Sequence, residues 1–269
     1  MSSLKGMRAL VSGGAQGIGS NICLELASAG AAVAVLDIHL EAGKKVRAKI
    51  MERGGNSISI CTDVVFKENC KQAVKSTVDE LGGLDILVNC AAPARNKMML
   101  GKLSDSDWEI HQQVVLNSAV FLADAASDYL AESGNGAIVN ISSITGDSIA
   151  IDQCSWPYHV SKAGLNHLTR FLAVSLGRRG IRVNAIKPGL VDRDDGLKLS
   201  DDLVHQAVIK DTVPLGRAGT SQDIAQVVTW LCSKQSSYLT GQVITVDGGL
   251  SLNEVFGASL MAYKSGSNS

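Results

Sequence analysis

Short apolar runs alternate with longer amphipathic segments along most of the chain. The runs are rich in Val, Ile and Ala and predict strands over Arg8–Ser12, Ala32–Asp37, Ser57–Thr62, Ile86–Asn89, Ala137–Ser142, Ile181–Ile186 and Gln242–Asp247. The segments between them have the helical period and predict helices over Gly17–Ala29, from after the second strand to about Arg53, Lys67–Leu81, Ser104–Tyr129, Pro157–Gly177 and Gln222–Cys232. Such alternation favours parallel strands joined by right-handed crossovers. The sequence therefore predicts an α/β protein with a doubly wound parallel sheet and helices on both faces.

One segment interrupts the alternation without dividing the chain. Residues 190–214 form a polar insertion with scattered apolar positions, and we expect this segment to cover a substrate. Residues 1–252 contain no linker, low-complexity tract or repeat of solenoid period, so they are predicted to form one domain. A C-terminal tail, 253–269, follows, and its apolar residues are suited to docking on a neighbouring subunit.

Composition narrows the class of protein. The chain has 269 residues, of which 45% are hydrophobic, enough for one sizeable core. A net charge of −1 gives no indication of a nucleic acid or an anionic membrane as partner. Neither a signal peptide nor an apolar run of about 18 residues is recognisable, so no membrane span is predicted. The spacing of the six cysteines is not that of a metal-binding site. It indicates reduced thiols in a cytoplasmic protein.

The first candidate site is the glycine-rich turn Gly13-Gly14-Ala15-Gln16-Gly17-Ile18-Gly19. It follows the first predicted strand and opens the first predicted helix, which is the context of a dinucleotide-binding turn. Its glycines permit close approach to a pyrophosphate, and the helix N-terminus offers free N–H groups. A glycine turn alone is weak evidence, because many such turns only reverse the chain. In this context we expect dinucleotide contacts from Gly13, Gln16, Gly17, Ile18 and Gly19.

Asp37 bears on which dinucleotide is bound. It lies 20 residues after Gly17, at the end of the second strand. A carboxylate there accepts hydrogen bonds from the adenosine ribose and repels a 2′-phosphate. Ile38 and His39 follow, so no cation directly after Asp37 serves a phosphate. We therefore expect NAD rather than NADP, with Asp37 and Ile38 among its contacts; the alternative for Asp37 is a strand-end turn residue.

The most informative pair is Tyr158 and Lys162, four residues apart in a predicted helix and so one turn from each other on one face. A tyrosine titrates near ~10 in isolation, too high for a base at neutral pH. A fixed ammonium nearby favours the phenolate and makes the tyrosine a general base for an alcohol proton. The spacing occurs by chance on many helices, so its weight comes from the glycine turn and an upstream serine pair.

From about Leu4 to Leu252 the chain resembles a classical short-chain dehydrogenase/reductase. The motifs that carry the resemblance are, in chain order, Ser12 before the glycine turn, Asp63-Val64, Asn89-Cys90-Ala91-Ala92, Asn117, Val139-Asn140-Ile141-Ser142-Ser143, Tyr158 with Lys162, Pro188-Gly189 and Val246-Asp247-Gly248-Gly249. The resemblance implies a Rossmann-like domain that also holds the cofactor through Ser12, Asp63, Val64, Asn89, Ala91, Tyr158, Lys162, Pro188, Gly189 and Val191. It further implies that Ser143 binds the substrate oxygen and that Asn117 holds a water linking Lys162 to solvent.

Several positions depart from that family's pattern. Ser12 keeps only the hydroxyl of a threonine, and Cys90 and Ala92 replace an asparagine and a glycine. Ser143 lies two residues further from Tyr158 than the family's serine, so the loop between them is expected to be longer. We assign Ser143 because it is the second serine after the strand. Thr145 fits the family spacing and stays an alternative.

Four residues are candidates for contact with the substrate. Arg193 stands where the family has a threonine that contacts the nicotinamide carboxamide, and Arg95 lies before the long helix; either is suited to an acidic substrate or to the solvated surface. Trp156, two residues before Tyr158, is equally suited to a pocket wall and to packing. Thr145 is the fourth. The histidines do not form a metal-type set: His159 is expected at the surface or an interface, and His111 receives no role.

The sequence thus predicts an NAD-dependent oxidoreductase that transfers a hydride between a secondary alcohol or ketone and nicotinamide. The alcohol-oxidising direction is preferred; the alternatives are an NADH-dependent ketoreductase and a non-catalytic dinucleotide-binding regulatory protein. The partner is a small-molecule substrate. Because the helices Ser104–Tyr129 and Pro157–Gly177 are apolar on more than one face, a second chain is expected to cover them. Together with the resemblance, this predicts a homotetramer, with a dimer as second choice.

Overall fold

Seven parallel strands form the central sheet of this protein, for which a computed structural model describes residues 3–93, 104–150, 154–192 and 198–253. The strands of the sheet are β1 Arg8–Ser12, β2 Ala32–Asp37, β3 Ser57–Cys61, β4 Ile86–Asn89, β5 Ala137–Ile141, β6 Arg182–Pro188 and β9 Val243–Val246. A separate pair is made by β7 Val191–Asp192 and β8 Gly219–Thr220. The sheet order is β3-β2-β1-β4-β5-β6-β9, with every pairing parallel.

Helices connect successive strands and cover the sheet. They are α1 Gly17–Ser28, α2 Leu40–Glu52, α3 Lys67–Leu81, α4 Asp105–His111, α5 Ser118–Glu132, α6 Trp156–Gly177, α7 Leu203–Thr212 and α8 Ser221–Cys232. Two large buried clusters lie against the sheet: one joins α1 and α8 to it, and the other joins α3, α5 and part of α6. The predicted doubly wound α/β fold is confirmed.

The order of the strands places the functional site. The chain winds from β1 to β3 on one side and resumes at β4 on the other side of β1. The loops that follow β1 and β4 therefore diverge and leave a crevice at the carboxyl edge of the sheet, the switch point where doubly wound folds bind ligands. The glycine turn follows β1, Asp37 ends β2 and Asn89 ends β4, so these predicted cofactor residues share that edge.

Two features were not predicted. The expected helix Ser104–Tyr129 extends to Glu132 and contains a π-helical turn, Gln112–Asn117, between α4 and α5. The polar insertion contains a helix, α7, whose N-cap Asp202 accepts a hydrogen bond from the backbone N–H of His205. Asp202 followed by apolar residues is a recognisable helix start, and the net polarity of the segment obscured it.

One stretch, Asp105–Glu132, is long and apolar enough to cross a membrane by length and composition alone. Its residues Leu122, Ala126 and Leu130 are fully buried in the cluster shared with α3 and the sheet. The core helix of a doubly wound sheet passes the same test, and this packing accounts for its apolar character.

Candidate active site

The glycine turn leaves no room for larger residues. A Cβ on Gly13 would lie 2.8 Å from the backbone of Ala91, and one on Gly19 would lie 2.0 Å from the carbonyl oxygen of Gly13. Gly13 also has a positive φ of 66°. The turn is therefore folded closely onto both the start of α1 and the loop after β4, and it presents backbone rather than side chains to the crevice.

The N-terminus of α1 suits an anion. Its N-cap, Gln16, is extended and exposed, and its side chain forms no capping hydrogen bond. Backbone N–H groups of the first turn therefore remain available, at the positive end of the helix dipole. The side chain of Ile18 is partly buried and packs against the hydrophobic core, so it attaches the first turn of α1 to the core. A dinucleotide pyrophosphate fits this cradle.

Asp37 is fixed by two backbone donors. Its Oδ2 accepts a hydrogen bond from the N–H of Ala15 at 3.1 Å, and its Oδ1 accepts one from the N–H of His39 at 3.0 Å. The carboxylate thus lies beside the glycine turn, where an adenosine ribose would meet it. Ile38 next to it is exposed. The basic residues Lys45 and Lys49 of α2 line a cavity that adjoins the same turn.

The other predicted cofactor residues occupy the rim and floor of the crevice. Ser12 is fully buried, and its hydroxyl accepts from the N–H of Cys90 at 3.2 Å, which ties the loop after β4 to β1. Asn89 donates to Oδ1 of Asn140 on β5 at 2.8 Å. The remaining residues are Asp63, which is exposed, Val64 and Pro188, which are buried, and Ala91, Gly189 and Val191, which are partly buried.

Tyr158 and Lys162 lie as predicted, one turn apart at the beginning of α6. Ser155 is the extended N-cap of this helix and Pro157 lies in its first turn, a position that proline favours. Nζ of Lys162 lies 5.6 Å from the centroid of the Tyr158 ring. The ammonium is therefore close enough to stabilise a phenolate.

Lys162 is buried and held on two sides by the end of β5. Its Nζ donates a 2.7 Å hydrogen bond to the carbonyl of Ile141, and its own carbonyl accepts one from the hydroxyl of Ser142 at 3.2 Å. Burial lowers the pKa of Lys162 to about 8, and the Cys90 thiol nearby opposes this shift. A lowered pKa at a buried lysine beside a specific partner is typical of functional sites.

Ser143 follows β5 directly and is buried. Its Oγ accepts hydrogen bonds from the N–H of Thr145 at 3.2 Å and from the hydroxyl of Thr145 at 2.8 Å. With both lone pairs engaged, the Ser143 hydroxyl has its own proton left to donate. Ser143 stays the predicted donor to a substrate oxygen, and Thr145 donates to its Oγ.

The long loop between Ser143 and Tyr158 is anchored at several points. His159, predicted at the surface or an interface, is instead buried within the chain: its Nε2 accepts from the N–H of Ala150 at 3.1 Å, and its Nδ1 lies 2.9 Å from the carbonyl oxygen of Ser155. Asp147 pairs with Lys187 of β6 and accepts from Asn166 of α6. The Lys187 ammonium holds the pKa of Asp147 below its ordinary value. The loop is therefore attached to α6 and the sheet.

Asn117 ends the π-helical turn and is exposed. The role predicted for it needs a water between its side chain and Lys162. Its role in a proton relay stays a prediction. Trp156 is 60% exposed at the first residue of α6, so packing within the chain does not explain it. Arg95 and Arg193 lie outside the described residues, as does the tail from residue 254 onwards.

His111 is the residue of this site that sequence reasoning missed. It is fully buried at the end of α4, and its ring meets the Tyr158 ring edge to face, with centroids 6.2 Å apart. In sequence it is an isolated histidine on a helix, and only the packing of α4 against α6 brings it to the tyrosine. No group of three His, Cys, Asp or Glu side chains suited to a metal occurs within the described parts of the chain.

This arrangement suits proton transfer coupled to hydride transfer. A nicotinamide dinucleotide bound along the glycine turn would supply a hydride acceptor or donor. Tyr158, with the Lys162 ammonium beside it, takes a proton from an alcohol or returns one to a ketone. Ser143 donates a hydrogen bond to the reacting oxygen and fixes its position.

The chain is similar to known proteins over most of its length. Residues 13–251 match the model of a family described as Enoyl-(Acyl carrier protein) reductase. The chain is 36% identical over 243 residues to the 3-oxoacyl-[acyl-carrier-protein] reductase FabG of Chlamydia muridarum, a match that covers 90% of this chain and 96% of the relative.

Two solved structures are similar throughout. A putative short-chain alcohol dehydrogenase from Sinorhizobium meliloti 1021 is 35% identical with a TM-score of 0.86, covering 94% of this chain and 99% of that one. A 7α-hydroxysteroid dehydrogenase, complexed with NADH and 7-oxo glycochenodeoxycholic acid, is 31% identical with a TM-score of 0.85, covering 92% and 95%.

Proposed function

This chain belongs to the classical short-chain dehydrogenase/reductase family, and on that premise we propose that it is an NAD-dependent oxidoreductase that converts a secondary alcohol to a ketone. Membership makes the chain an oxidoreductase that binds a nicotinamide dinucleotide. Five finer points are proposed: the identity of the dinucleotide, the direction, the substrate class, the assembly and the location.

The observation that carries the proposal is the placement of the Lys162 ammonium 5.6 Å from the Tyr158 ring, in a buried setting beside Ser143 and the end of β5. A non-catalytic dinucleotide-binding protein would have no need of this arrangement. A buried lysine without an anionic partner is destabilising, and chemistry that requires its charge explains why it is there.

Asp37 supports NAD as the cofactor. Both carboxylate oxygens are held by backbone N–H groups beside the glycine turn, so the charge cannot swing away from an incoming 2′-phosphate. Repulsion between like charges in such a contact costs several kcal/mol. This repulsion could be offset by the ammonium groups of Lys45 and Lys49. These lysines lie along α2 rather than directly after Asp37.

A ketoreductase running in the opposite direction is the second candidate. The relative from Chlamydia muridarum is named a reductase of a 3-oxoacyl group, and the similar steroid dehydrogenase structure contains a 7-oxo steroid with NADH. Tyr158 and Ser143 serve either direction, because the same proton and the same hydrogen bond are used. The ratio of the two cofactor forms then decides the direction.

The substrate is proposed to be a small apolar secondary alcohol or its ketone. Large apolar side chains are exposed on the elements that flank Ser143 and Tyr158 along the chain, namely Ile149 in the loop and Trp156 on α6. Leu203 and Val204 at the beginning of α7 are likewise exposed. Exposed apolar side chains next to polar catalytic groups are typical of sites that bind apolar substrates.

We also propose a cytoplasmic homotetramer, with a dimer as second choice. The cysteines in the described part of the chain form no disulfide, which fits a reducing compartment. On α6 the side chains of Phe171 and Val174 are 66% and 83% exposed, and Val120 of α5 is exposed as well. Exposed apolar residues on two neighbouring helices favour a second copy of the chain as their cover.

The experiment is a panel of secondary alcohols with NAD⁺ or NADP⁺, and of the matching ketones with NADH or NADPH, followed by nicotinamide absorbance. Tyr158→Phe is the control, and it should lower kcat by at least about 10²-fold while NADH still binds. Turnover that survives this substitution would remove Tyr158 from the proposed role. Turnover only with the phosphorylated cofactor would overturn the choice of NAD.

A further inference from the structure

We propose that His111 is the proton-relay partner of Tyr158: its unprotonated Nε2 receives, through a bridging water, the proton that Tyr158 takes from the alcohol. The inference rests on the proposed function. It concerns a positioning residue that acts on the substrate only through Tyr158.

The tautomer of His111 is set by its own helix. Its Nδ1 lies 2.6 Å from the backbone carbonyl oxygen of Asp107, one turn earlier. A carbonyl oxygen only accepts, so Nδ1 carries the hydrogen and the neutral ring presents a bare lone pair at Nε2.

That lone pair is buried and has no hydrogen-bond partner among the described residues. A buried acceptor without a donor is costly, and in native proteins such an atom usually faces a water, a ligand or a catalytic exchange. The next residue, Gln112, buries an amide nitrogen that also lacks a partner.

The position of His111 follows from how the two helices pack. His111 meets Tyr158, Leu116 lies against Gly164, and Val115 packs with Leu165. The segment from His111 to Leu116 therefore runs alongside the turn of α6 that carries both Tyr158 and Lys162.

The π-helical turn that follows His111 determines which polar side chain faces the turn of α6 that carries Tyr158 and Lys162. Asn117 at the end of the π-helical turn is exposed, whereas Val115 within this turn is buried and packs against α6. Single π turns often occur at functional sites. His111 lies at the beginning of this π turn. Within the described part of α4 and the π turn, it is the ionisable side chain that is buried against Tyr158.

The proton balance is simple. When the alcohol is oxidised, its O–H proton passes to the Tyr158 phenolate as the C–H hydride leaves for the nicotinamide. The Tyr158 O–H bond then breaks, a water passes a proton on, and an N–H bond forms at Nε2 of His111. The phenolate is restored, and the imidazolium later passes the proton back through the same water to solvent, because Nε2 itself is buried. Reduction of a ketone runs the same steps backwards.

Charges around His111 make this transfer depend on pH. From α6 it is faced by Tyr158 and, beyond the ring, by the Lys162 ammonium; from its own helix Asp107 contributes a carbonyl, while the Asp107 carboxylate accepts from Ser104 at the surface. A histidine must be neutral to accept a proton, so the relay predicts an acid limb in the pH profile of alcohol oxidation.

The first test compares three variants. His111→Phe keeps a buried ring against Tyr158 but has no Nε2, His111→Gln keeps a polar group there that cannot be protonated, and His167→Phe changes an exposed histidine of α6 as a matched control. We expect His111→Phe to lower kcat about 10-fold or more, to leave the KM for NAD⁺ unchanged and to remove the acid limb of the pH profile. His111→Gln should recover part of kcat without the acid limb, and His167→Phe should behave as wild type. A His111→Phe profile that superimposes on wild type would show that the histidine only packs.

The second test needs no turnover. In protein labelled with ¹⁵N-histidine, the five histidines can be assigned with the help of the His111→Phe spectrum. We expect His111 as the Nδ1–H tautomer in mild alkali, with a titration midpoint that moves when Tyr158 is replaced by phenylalanine. An unmoved midpoint would overturn the proposal. If no alcohol or ketone is turned over, the proposed function fails, and this titration still decides whether His111 and Tyr158 are coupled.

Discussion

The hydroxyl of Thr145 lies 2.8 Å from Oγ of Ser143, and the backbone N–H of Thr145 donates to the same oxygen at 3.2 Å. Both residues are buried at the beginning of the long loop that leads to Tyr158. Thr145 therefore fixes the direction in which the Ser143 proton points. The two residues are alternatives for one role in the sequence, and this geometry leads us to expect different roles for them.

Substitutions at these two positions should differ in severity. Ser143→Ala removes the donor to the substrate oxygen, and we expect kcat to fall by about 10²-fold or more. Thr145→Ala leaves the backbone bond in place and should cost about 10-fold or less, because orientation is only loosened. Thr145→Ser restores the hydroxyl and serves as the matched control. Steady-state kinetics would contradict this assignment if Thr145→Ala were the more damaging change.

The parts of the site that the sequence predicted depend on local spacing. Tyr158 and Lys162 are four residues apart, so any helix brings them onto one face. The glycine turn and Asp37 are placed by the ends of β1 and β2, whose apolar runs are plain in the sequence. Where a strand or helix fixes the geometry, the order of residues was enough.

The parts that were missed depend on packing between distant segments. The π turn that ends at Asn117 adds a residue to a helix without changing its apolar character. His111 meets Tyr158 only because α4 lies against α6, and His159 is buried only because the long loop folds over it. Residue patterns along one helix carry no record of such contacts.

Gly19 should tolerate no side chain. An added Cβ would lie 2.0 Å from the carbonyl oxygen of Gly13, so the glycine turn must open to admit it. We expect Gly19→Ala to lower the free energy of unfolding by about 1–3 kcal/mol. It should weaken NADH binding at least about 10-fold, measured by nicotinamide fluorescence. Gly177→Ala, at the end of α6, is the control, because a Cβ added there would meet nothing within 4 Å. This variant should bind NADH normally. Normal binding by Gly19→Ala would mean that the turn does not hold the pyrophosphate.

The cofactor preference should depend on Asp37 and, once that charge is removed, on Lys45. Wild type should favour NAD⁺ over NADP⁺ in kcat/KM by at least about 100-fold, because the fixed carboxylate repels a 2′-phosphate. Asp37→Ser should narrow this ratio, and the gain with NADP⁺ should disappear in Asp37→Ser/Lys45→Met, since Lys45 lines the cavity beside the glycine turn. Equal use of both cofactors by wild type would refute the role given to Asp37.

Assembly should depend on the exposed apolar residues of α6. We expect wild type to have the mass of a tetramer in analytical ultracentrifugation at micromolar concentration. Charges placed by Phe171→Glu and Val174→Glu together should reduce that mass, because these side chains are 66% and 83% exposed in the single chain and need an apolar cover. Met51→Glu, which changes an exposed apolar residue on α2, should leave the mass unchanged. A wild-type mass equal to that of one chain would exclude the tetramer and the dimer alike.

Lys162 should be a source of instability as well as of activity. Burial lowers its pKa from 10.5 to about 8, so at pH 7 the folded protein holds a buried ammonium that the unfolded chain keeps solvated. Between pH 8 and 10.5 the unfolded chain binds more protons than the folded one, and stability therefore rises with pH across that window. A pKa shift of this size corresponds to a loss of about 3 kcal/mol in the free energy of unfolding at pH 7. The hydrogen bond from Lys162 to the carbonyl of Ile141 offsets part of that loss.

Lys162→Met is accordingly expected to abolish turnover while raising the melting temperature of the cofactor-free protein at pH 7. The gain over wild type should shrink as the pH rises from about 8 and vanish above about 10.5, where the wild-type lysine is neutral in both states. Lys71→Met, at an exposed lysine of α3, controls for the loss of a surface charge and should show no such trend. Calorimetry at several pH values measures both variants. A Lys162→Met protein that melts below wild type at pH 7 would show that the contacts of this side chain outweigh the desolvation of its charge.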